Sequence, residues 1–408
     1  MKLTRTIEEI RGDFPILAQK PYGRPLVYLD NGATTQKPVQ VLKVMDEIYR
    51  TSNANVHRGV HFLSDIISER YESARETVRA FINASKKEEV IFTAGATASI
   101  NAVAFAFGER YVHEGDEILI SEMEHHANIV PWQMLCERKK ALLKVIPFSD
   151  EGLLDMTQYS GMLTDRTRLV AVTQASNVLG TVNPIKEIVA EAHLRGIPVL
   201  VDGAQSIQHG IVDVKELDCD FFVFSGHKIY APTGTGVLYG KEKWLAEMPP
   251  YQGGGDMVAN VTFAKTTYNE LPFKFEAGTT NYTGAIGLAT ALDYVTALGR
   301  VAIAEREHLL LSVAVNALSA IPGVKLFGTA PHKVSVVSFL PADIHQYDAG
   351  MVLDKMGIAV RTGTHCAQPV MEHYGISGTI RASIAFYNTE DEMHALAAGI
   401  KKVMEMFA

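Results

Sequence analysis

Three residues carry the reactive chemistry that this sequence offers: an aspartate, a lysine and a cysteine. Asp202 closes the apolar run Val199–Leu200–Val201, and Lys228 follows the run Phe221–Phe224 within Ser225-Gly226-His227-Lys228. Both fall at the ends of successive candidate strands, 26 residues apart, where open α/β sheets place their binding crevice. An amine there can condense with an aldehyde, and a carboxylate beside it can pair with a ring nitrogen and keep it protonated, so that the ring withdraws electrons. Gln205, three residues past Asp202, could reach a ring oxygen from the same loop. Gly95-Ala96-Thr97-Ala98-Ser99, directly after Val90–Thr93, offers a helix N-terminus to a phosphate. A lone aspartate is more often a helix cap and a lone lysine a solvated loop residue. The ordered combination argues for a site, without choosing among phosphate-bearing ligands.

The cysteine is Cys366. Attack on sulfur requires a thiolate, and an unperturbed cysteine (pKa about 8.5) supplies only a few per cent of it near neutral pH. Arg361 and His365 are close in sequence and predict support for the anion, while Gly363 and Thr364 predict a turn. Cys136, inside the apolar-periodic stretch Trp132–Arg138, and Cys219, just before a buried strand, read instead as inert core thiols. The three cysteines form neither a CxxC metal pair nor a disulfide framework, so no metal site is expected and a reducing cytoplasm is.

The elements that must hold these residues alternate. Strands are predicted at Glu89–Thr93, Glu117–Ser121, Leu142–Pro147, Arg168–Thr173, Pro198–Asp202, Asp220–Ser225 and Gly236–Tyr239, most of them continuous apolar runs buried on both faces of a sheet. Ile185–Arg195 is helical by its apolar spacing, entered through Asn183-Pro184. Residues 249–284, with Pro249-Pro250 and Gly253–Gly255, read as long ordered loops or a hairpin. Helices follow at Ala285–Leu298 and Val301–Ile321. Strands near Val334–Leu340, Ile358–Arg361 and Ile380–Ser383 then alternate with helices near Tyr347–Lys355 and Glu390–Phe407. The expectation is an α/β protein: a large, mostly parallel-sheet domain over 31–290 and a smaller α/β domain over 291–408. Residues 1–30 contribute to the smaller one, and the helix-like Pro38–Tyr49 is a further candidate for it.

Composition limits the partners. The 408 residues carry a formal charge of −8, from 38 basic and 46 acidic side chains, which argues against nucleic acid and anionic membranes. No apolar run approaches the roughly 20 residues that span a bilayer. The first 14 residues, with Lys2, Arg5, Glu8, Glu9, Arg11 and Asp13, do not resemble a secretory signal.

From Phe14-Pro15 through Tyr28-Leu29-Asp30 to Tyr387-Asn388-Thr389 the chain resembles the class V family of fold-type I pyridoxal-phosphate enzymes, and specifically the SufS-like (group II) cysteine desulfurases. The sharpest matches are Met123-Glu124-His125-His126-Ala127-Asn128-Ile129-Val130-Pro131-Trp132, Val201-Asp202-Gly203-Ala204-Gln205, Ser225-Gly226-His227-Lys228 and Arg361-Thr362-Gly363-Thr364-His365-Cys366-Ala367. Each motif is weakly to moderately specific alone; their order and distances together are strong. The resemblance implies that Lys228 carries pyridoxal 5'-phosphate as a Schiff base, Asp202 pairs with its ring nitrogen, His126 stacks on the ring (His125 in reserve) and Gln205 bonds the ring oxygen. It implies a phosphate held by Thr97, Ser225 and His227, with Thr280 donated across a homodimer interface. Asn177 and Arg381 would bind the substrate carboxylate, with Arg361 and His57 lining the substrate side. Group II enzymes commonly show Gly-Thr-Thr-Glu-Gly at the phosphate helix; here Ala96 and Ala98 lack the hydroxyl and the carboxylate, while Thr97 remains.

The implied reaction converts L-cysteine to L-alanine. Lys228 takes the Cα proton, and Cys366 takes the sulfur as a persulfide. Sulfur then passes to an acceptor protein of the SufE or SufU type, towards iron–sulfur cluster assembly. Two other readings stand beside it: a selenocysteine lyase or related β-eliminating enzyme, and a non-catalytic interaction protein on a degenerate fold. Retention of Asp202, Lys228, Arg381 and Cys366 together argues against the last.

Overall fold

The computed structural model describes residues 3–407, so Lys2 of the charged opening stretch and the outermost residues of the 1–30 and 291–408 segments lie outside it. A seven-stranded sheet forms the centre. Its order is Val90–Thr93, Gly236–Gly240, Phe221–Ser225, Val199–Asp202, Thr167–Thr173, Glu117–Ser121 and Leu142–Ile146. Only Gly236–Gly240 runs against the others. The continuous apolar runs are explained by burial on both faces. Ile118, Ile120, Leu200, Phe221 and Val223 point to the side covered by helices Ala96–Tyr111 and Val130–Lys139. Leu119, Val199, Val201, Phe222 and Phe224 point to the side covered by Ile185–His193 and Tyr282–Leu298.

At one edge of this sheet, the strand Val90–Thr93 leads into the loop before helix Ala96–Tyr111, and its outer edge is tied down. Arg75, fully buried on helix Phe62–Phe81, donates to the Val90 carbonyl at 2.8 Å and pairs with Glu276 at 2.7 and 2.9 Å. Glu276 in turn accepts the Phe92 N–H at 2.7 Å and the Tyr71 hydroxyl at 2.8 Å. The exposed row of backbone groups that an edge strand presents is thereby occupied.

A second sheet, antiparallel throughout, has the order Val324–Phe327, Val336–Pro341, Thr379–Ser383 and Arg361–Gly363. Helices Arg300–Ser319, Gln346–Lys355 and Glu390–Phe407 pack on it through Leu310, Leu353, Leu396 and Ile400. The N-terminal strand Val27–Tyr28 pairs in parallel with Ile358–Ala359. Ile358–Arg361 is therefore not one strand: it divides at Val360, its first half facing the N-terminal segment and its second half Thr379–Ser383. Val324–Phe327 was not anticipated, because a four-residue run containing Lys325 at a sheet edge carries little pattern. Nor was the 20-residue helix Phe62–Phe81 singled out, although it buries Ile67, Tyr71, Ala74, Val78 and Phe81 along one stripe. The loop region 249–284 contains a short hairpin, Val258–Val261 with Thr266–Tyr268.

Among the described residues no single helix is long and apolar enough to cross a membrane. Tyr282–Leu298 and Arg300–Ser319 reach that length only as a pair bent by 78°.

Candidate functional site

A cavity of about 240 Å³ opens at the ends of the central strands and is lined by Thr97, His125, Asn177, Asp202, Gln205, Ser225, His227, Lys228 and Arg361, among others. Asp202 and Lys228 reach it as strand-end residues. Close approach at this end depends on glycine: a Cβ on Gly236 would lie 2.4 Å from the Gly95 Cα, so the antiparallel strand can pass the Gly95 loop only without side chains.

Lys228 is a buried amine that donates to the Gly32 carbonyl, which also accepts from Gln205 Nε2 at 2.9 Å. Burial, reinforced by the positive charges of Arg381 and Arg361, lowers its pKa from 10.5 to about 7. The neutral amine is the nucleophile. Capture of an aldehyde by the ligand-free chain should therefore rise with pH through about 7 and then level off, as read by absorbance and by borohydride trapping. A rate still climbing towards 10.5 would contradict this environment.

Asp202 is buried, and the Ala204 N–H at 2.9 Å is the one donor to its carboxylate among the described residues. Burial raises its carboxyl to about 6, against the opposing effects of that hydrogen bond and of Lys228. A buried carboxylate on a cavity wall, without a cation in contact, gains from a ligand that brings a protonated nitrogen. Gln205 Oε1 is likewise buried, without a partner among the described residues.

The cavity continues into a wider depression of about 710 Å³ that shares Thr97, Ser225 and His227 and adds Gly95, Ala98 and Asn101. Helix Ala96–Tyr111 begins here. The Ala96 N–H goes to Ser225 Oγ at 2.8 Å, and the next first-turn amides have no helical acceptor, which suits an anion. Ala98 lines this depression and brings no carboxylate to it. Burial, then Lys228 and Lys37, lowers His227 to about 4, so its ring is neutral at neutral pH.

Besides His227, the histidine on the cavity wall is His125; its neighbour His126, expected to stack on a ring there, is not among the lining residues. The two belong to a tight turn. His125 Nδ1 accepts the Ala127 N–H at 3.0 Å, while the His126 N–H points the other way, to the Cys366 carbonyl at 2.8 Å. Burial and then Lys228 lower His125 to about 4, leaving a flat neutral ring with its proton on Nε2.

Arg361 lines the cavity and is the direct partner of Arg381 on the neighbouring antiparallel strand, so the two share one face. Like charges in that arrangement repel, and an anion between them relieves the repulsion. Arg381, fully buried, donates to the Asn177 carbonyl at 3.0 Å and to Asp30 at 3.1 Å, and its Nε has no partner among the described residues. Asn177 Nδ2 holds the His365 carbonyl at 2.7 Å. Arg361 Nη2 lies 3.3 Å from Cys366 Sγ, placing a guanidinium against the thiol as expected. His365 does not help in that way. It is buried with Nε2 on Thr379, and burial, then the two arginines, lowers it to about 3.

Cys366 is partly exposed and takes a left-handed backbone (φ 58°), as does His365 (φ 53°). Such conformations cost about 1–3 kcal/mol each and persist where the surroundings hold them. Cys136 and Cys219 are buried, and burial raises both thiols, Cys136 to about 11. A small alkylating reagent on the folded chain should label Cys366 promptly, as read by peptide mass. Prompt labelling of Cys136 or Cys219 would contradict the assignment.

His57 and Thr280 are not brought to the Lys228 cavity within this chain. His57 pairs with Glu72 at 3.2 Å and packs edge-on against Tyr71 and Phe273. Thr280 lines a neighbouring recess with Thr93, Ala98 and Gly234. Residues missed by sequence reasoning are Asp30, which pairs with Arg381, and Gly32, whose carbonyl receives Lys228 and Gln205. A carbonyl has no side-chain signal; Asp30 could have been found through the Tyr28-Leu29-Asp30 motif.

Residues 27–396 match the family model described as aminotransferase class-V. A protein named cysteine desulfurase from Pectobacterium carotovorum is 51% identical over 398 residues, covering 97% of this chain and 98% of its own. The crystal structure of the cysteine desulfurase CsdA (S-sulfonic acid) from Escherichia coli superposes with a TM-score of 0.92 at 38% identity, covering 99% of each chain. The apo structure of a cysteine desulfurase from Thermococcus onnurineus NA1 gives 0.94 at 37%, covering 100% of each.

Proposed function

Because the chain belongs to the class-V aminotransferase family, and its full-length relatives are named cysteine desulfurases, we propose that it converts L-cysteine to L-alanine and takes the sulfur onto Cys366. The observation that carries this reading is the Cys366 thiol against Arg361, a residue that also lines the cavity of Lys228 and Asp202. The residues fit pyridoxal phosphate. Lys228 would hold it covalently, Asp202 would pair with its ring nitrogen, and Gln205 would reach its ring oxygen after an amide flip that presents the Nε2 donor. His125 would stack on its ring, and Thr97, Ser225 and His227 would hold its phosphate. When bound, that group supplies an electron sink that stabilises negative charge at the substrate Cα.

The chain's own residues do the rest. Arg381 and Asn177 bind the substrate carboxylate, the former through its bidentate fork. Lys228 Nζ, its pKa lowered by burial to about 7, takes the Cα proton. Cys366 Sγ, as thiolate beside Arg361, attacks the substrate sulfur. The new S–S bond forms as the Cβ–S bond breaks, Cβ takes up a proton, Lys228 returns a proton to Cα, and alanine leaves. No external oxidant or reductant is required, because the thiol sulfur is oxidised as the carbon is reduced.

The chain acts as a homodimer in this reading. His57 and Thr280, neither of which lines its own chain's Lys228 cavity, would serve the partner's. The persulfide passes to an acceptor of the SufE or SufU type for iron–sulfur cluster assembly in the cytoplasm; the partial exposure of Cys366 suits such a transfer. Product analysis after loading with pyridoxal phosphate tests the reaction. Alanine from L-cysteine is the expected product, whereas pyruvate and ammonia would replace it with elimination. Faster turnover of selenocysteine would reassign the substrate.

A further inference from the structure

The helix that follows the thiol, Gln368–His373, starts without a cap of its own. Ala367 at its N-cap offers no side-chain acceptor, and Pro369 in the first turn has no N–H. Val370 N–H is taken by the Ala367 carbonyl at 3.1 Å, which leaves the Gln368 amide as the orphan. His126, 242 residues earlier in the chain, fills this position: its Nε2 accepts the Gln368 N–H at 3.3 Å. The same residue's backbone N–H holds the Cys366 carbonyl at 2.8 Å.

Together these contacts straddle Cys366. The preceding left-handed residue, His365, is held through its carbonyl by Asn177 at 2.7 Å and through its ring by Thr379. The two strained residues are thus pinned by Asn177 and the His126 backbone, and the helix start behind them by the His126 ring. The ring contact is the one that substitution can remove without disturbing the backbone hydrogen bond.

We infer that the His126 side chain is a positioning residue that caps the Gln368–His373 helix from across the fold and holds the Cys366 loop in register with the Lys228 cavity. The inference rests on Cys366 as the sulfur receiver, and it gives His126 a task distinct from that of His125. The acceptor must be an unprotonated ring nitrogen, so the glutamine side chain, whose Oε1 lies at a similar reach, is the conservative replacement.

The test compares H126A and H126Q with the parent in the cofactor-loaded chain. Hydrogen exchange in the peptide spanning residues 364–370 should accelerate severalfold in H126A and return towards the parent in H126Q. In single turnover with saturating L-cysteine, H126A should form alanine about three- to tenfold more slowly, the scale of one exposed hydrogen bond. Its visible absorbance and its spectral titration by cysteine should match the parent. Unchanged exchange in H126A would overturn the inference, as would a shifted absorbance, or a defect that glutamine does not relieve. Absence of alanine from the parent itself would sink the proposed reaction, while the exchange comparison would still decide the cap.

Discussion

Lys228→Ala is expected to give a folded chain that no longer retains pyridoxal phosphate through borohydride reduction, with alanine formation reduced by at least about three to four orders of magnitude. The fold should survive because the amine sits in a cavity against its own solvation preference, its pKa lowered to about 7 by burial. Its one acceptor among the described residues, the Gly32 carbonyl, keeps the bond from Gln205 Nε2. Activity should not survive, because both covalent capture and Cα proton transfer need a nitrogen at that point. Added small amines should restore part of the proton transfer and none of the covalent retention. Turnover within about tenfold of the parent would show that another base does this work.

Cys366→Ser is expected to separate sulfur transfer from everything before it. Serine keeps a Cβ, so the left-handed backbone at φ 58° is no more strained than in the parent. The Asn177, His126 and Thr379 contacts to the loop involve other atoms and remain available. The cofactor absorbance and its change on adding L-cysteine should therefore match the parent. Alanine formation should fall by at least about a thousandfold, the scale on which loss of a nucleophile acts. A hydroxyl beside Arg361 cannot substitute, because it is far harder to ionise than a thiol. Full alanine formation in this variant would move the sulfur receiver elsewhere, and the buried Cys136 and Cys219 offer no accessible alternative.

Much of this site was legible because its key residues sit where strand ends must place them. Asp202 and Lys228 follow apolar runs that alternate between two buried faces, and such runs fix where a strand stops. What was not legible depends on contacts between distant segments. His125 and His126 are adjacent on a tight turn, and no periodicity says which ring faces the cavity; the Nδ1 bond from Ala127 decides it. Arg361 and Arg381 become a facing pair only through the antiparallel register of their strands. His365 read as a charge beside the thiol, yet its ring is buried on Thr379 and stays neutral at neutral pH. In the fold, the division of Ile358–Arg361 followed from which neighbour each half pairs with, and Val324–Phe327 was too short to announce itself.

The proposed reaction turns on where the sulfur goes. The direct measurement is peptide mass spectrometry of the cofactor-loaded chain after mixing with one equivalent of L-cysteine in the absence of any acceptor or reductant. The predicted result is one additional sulfur atom on the Cys366 peptide, in amount equal to the alanine released, with Cys136 and Cys219 unmodified. Alanine released with Cys366 unmodified, or sulfur found on another residue, would contradict it.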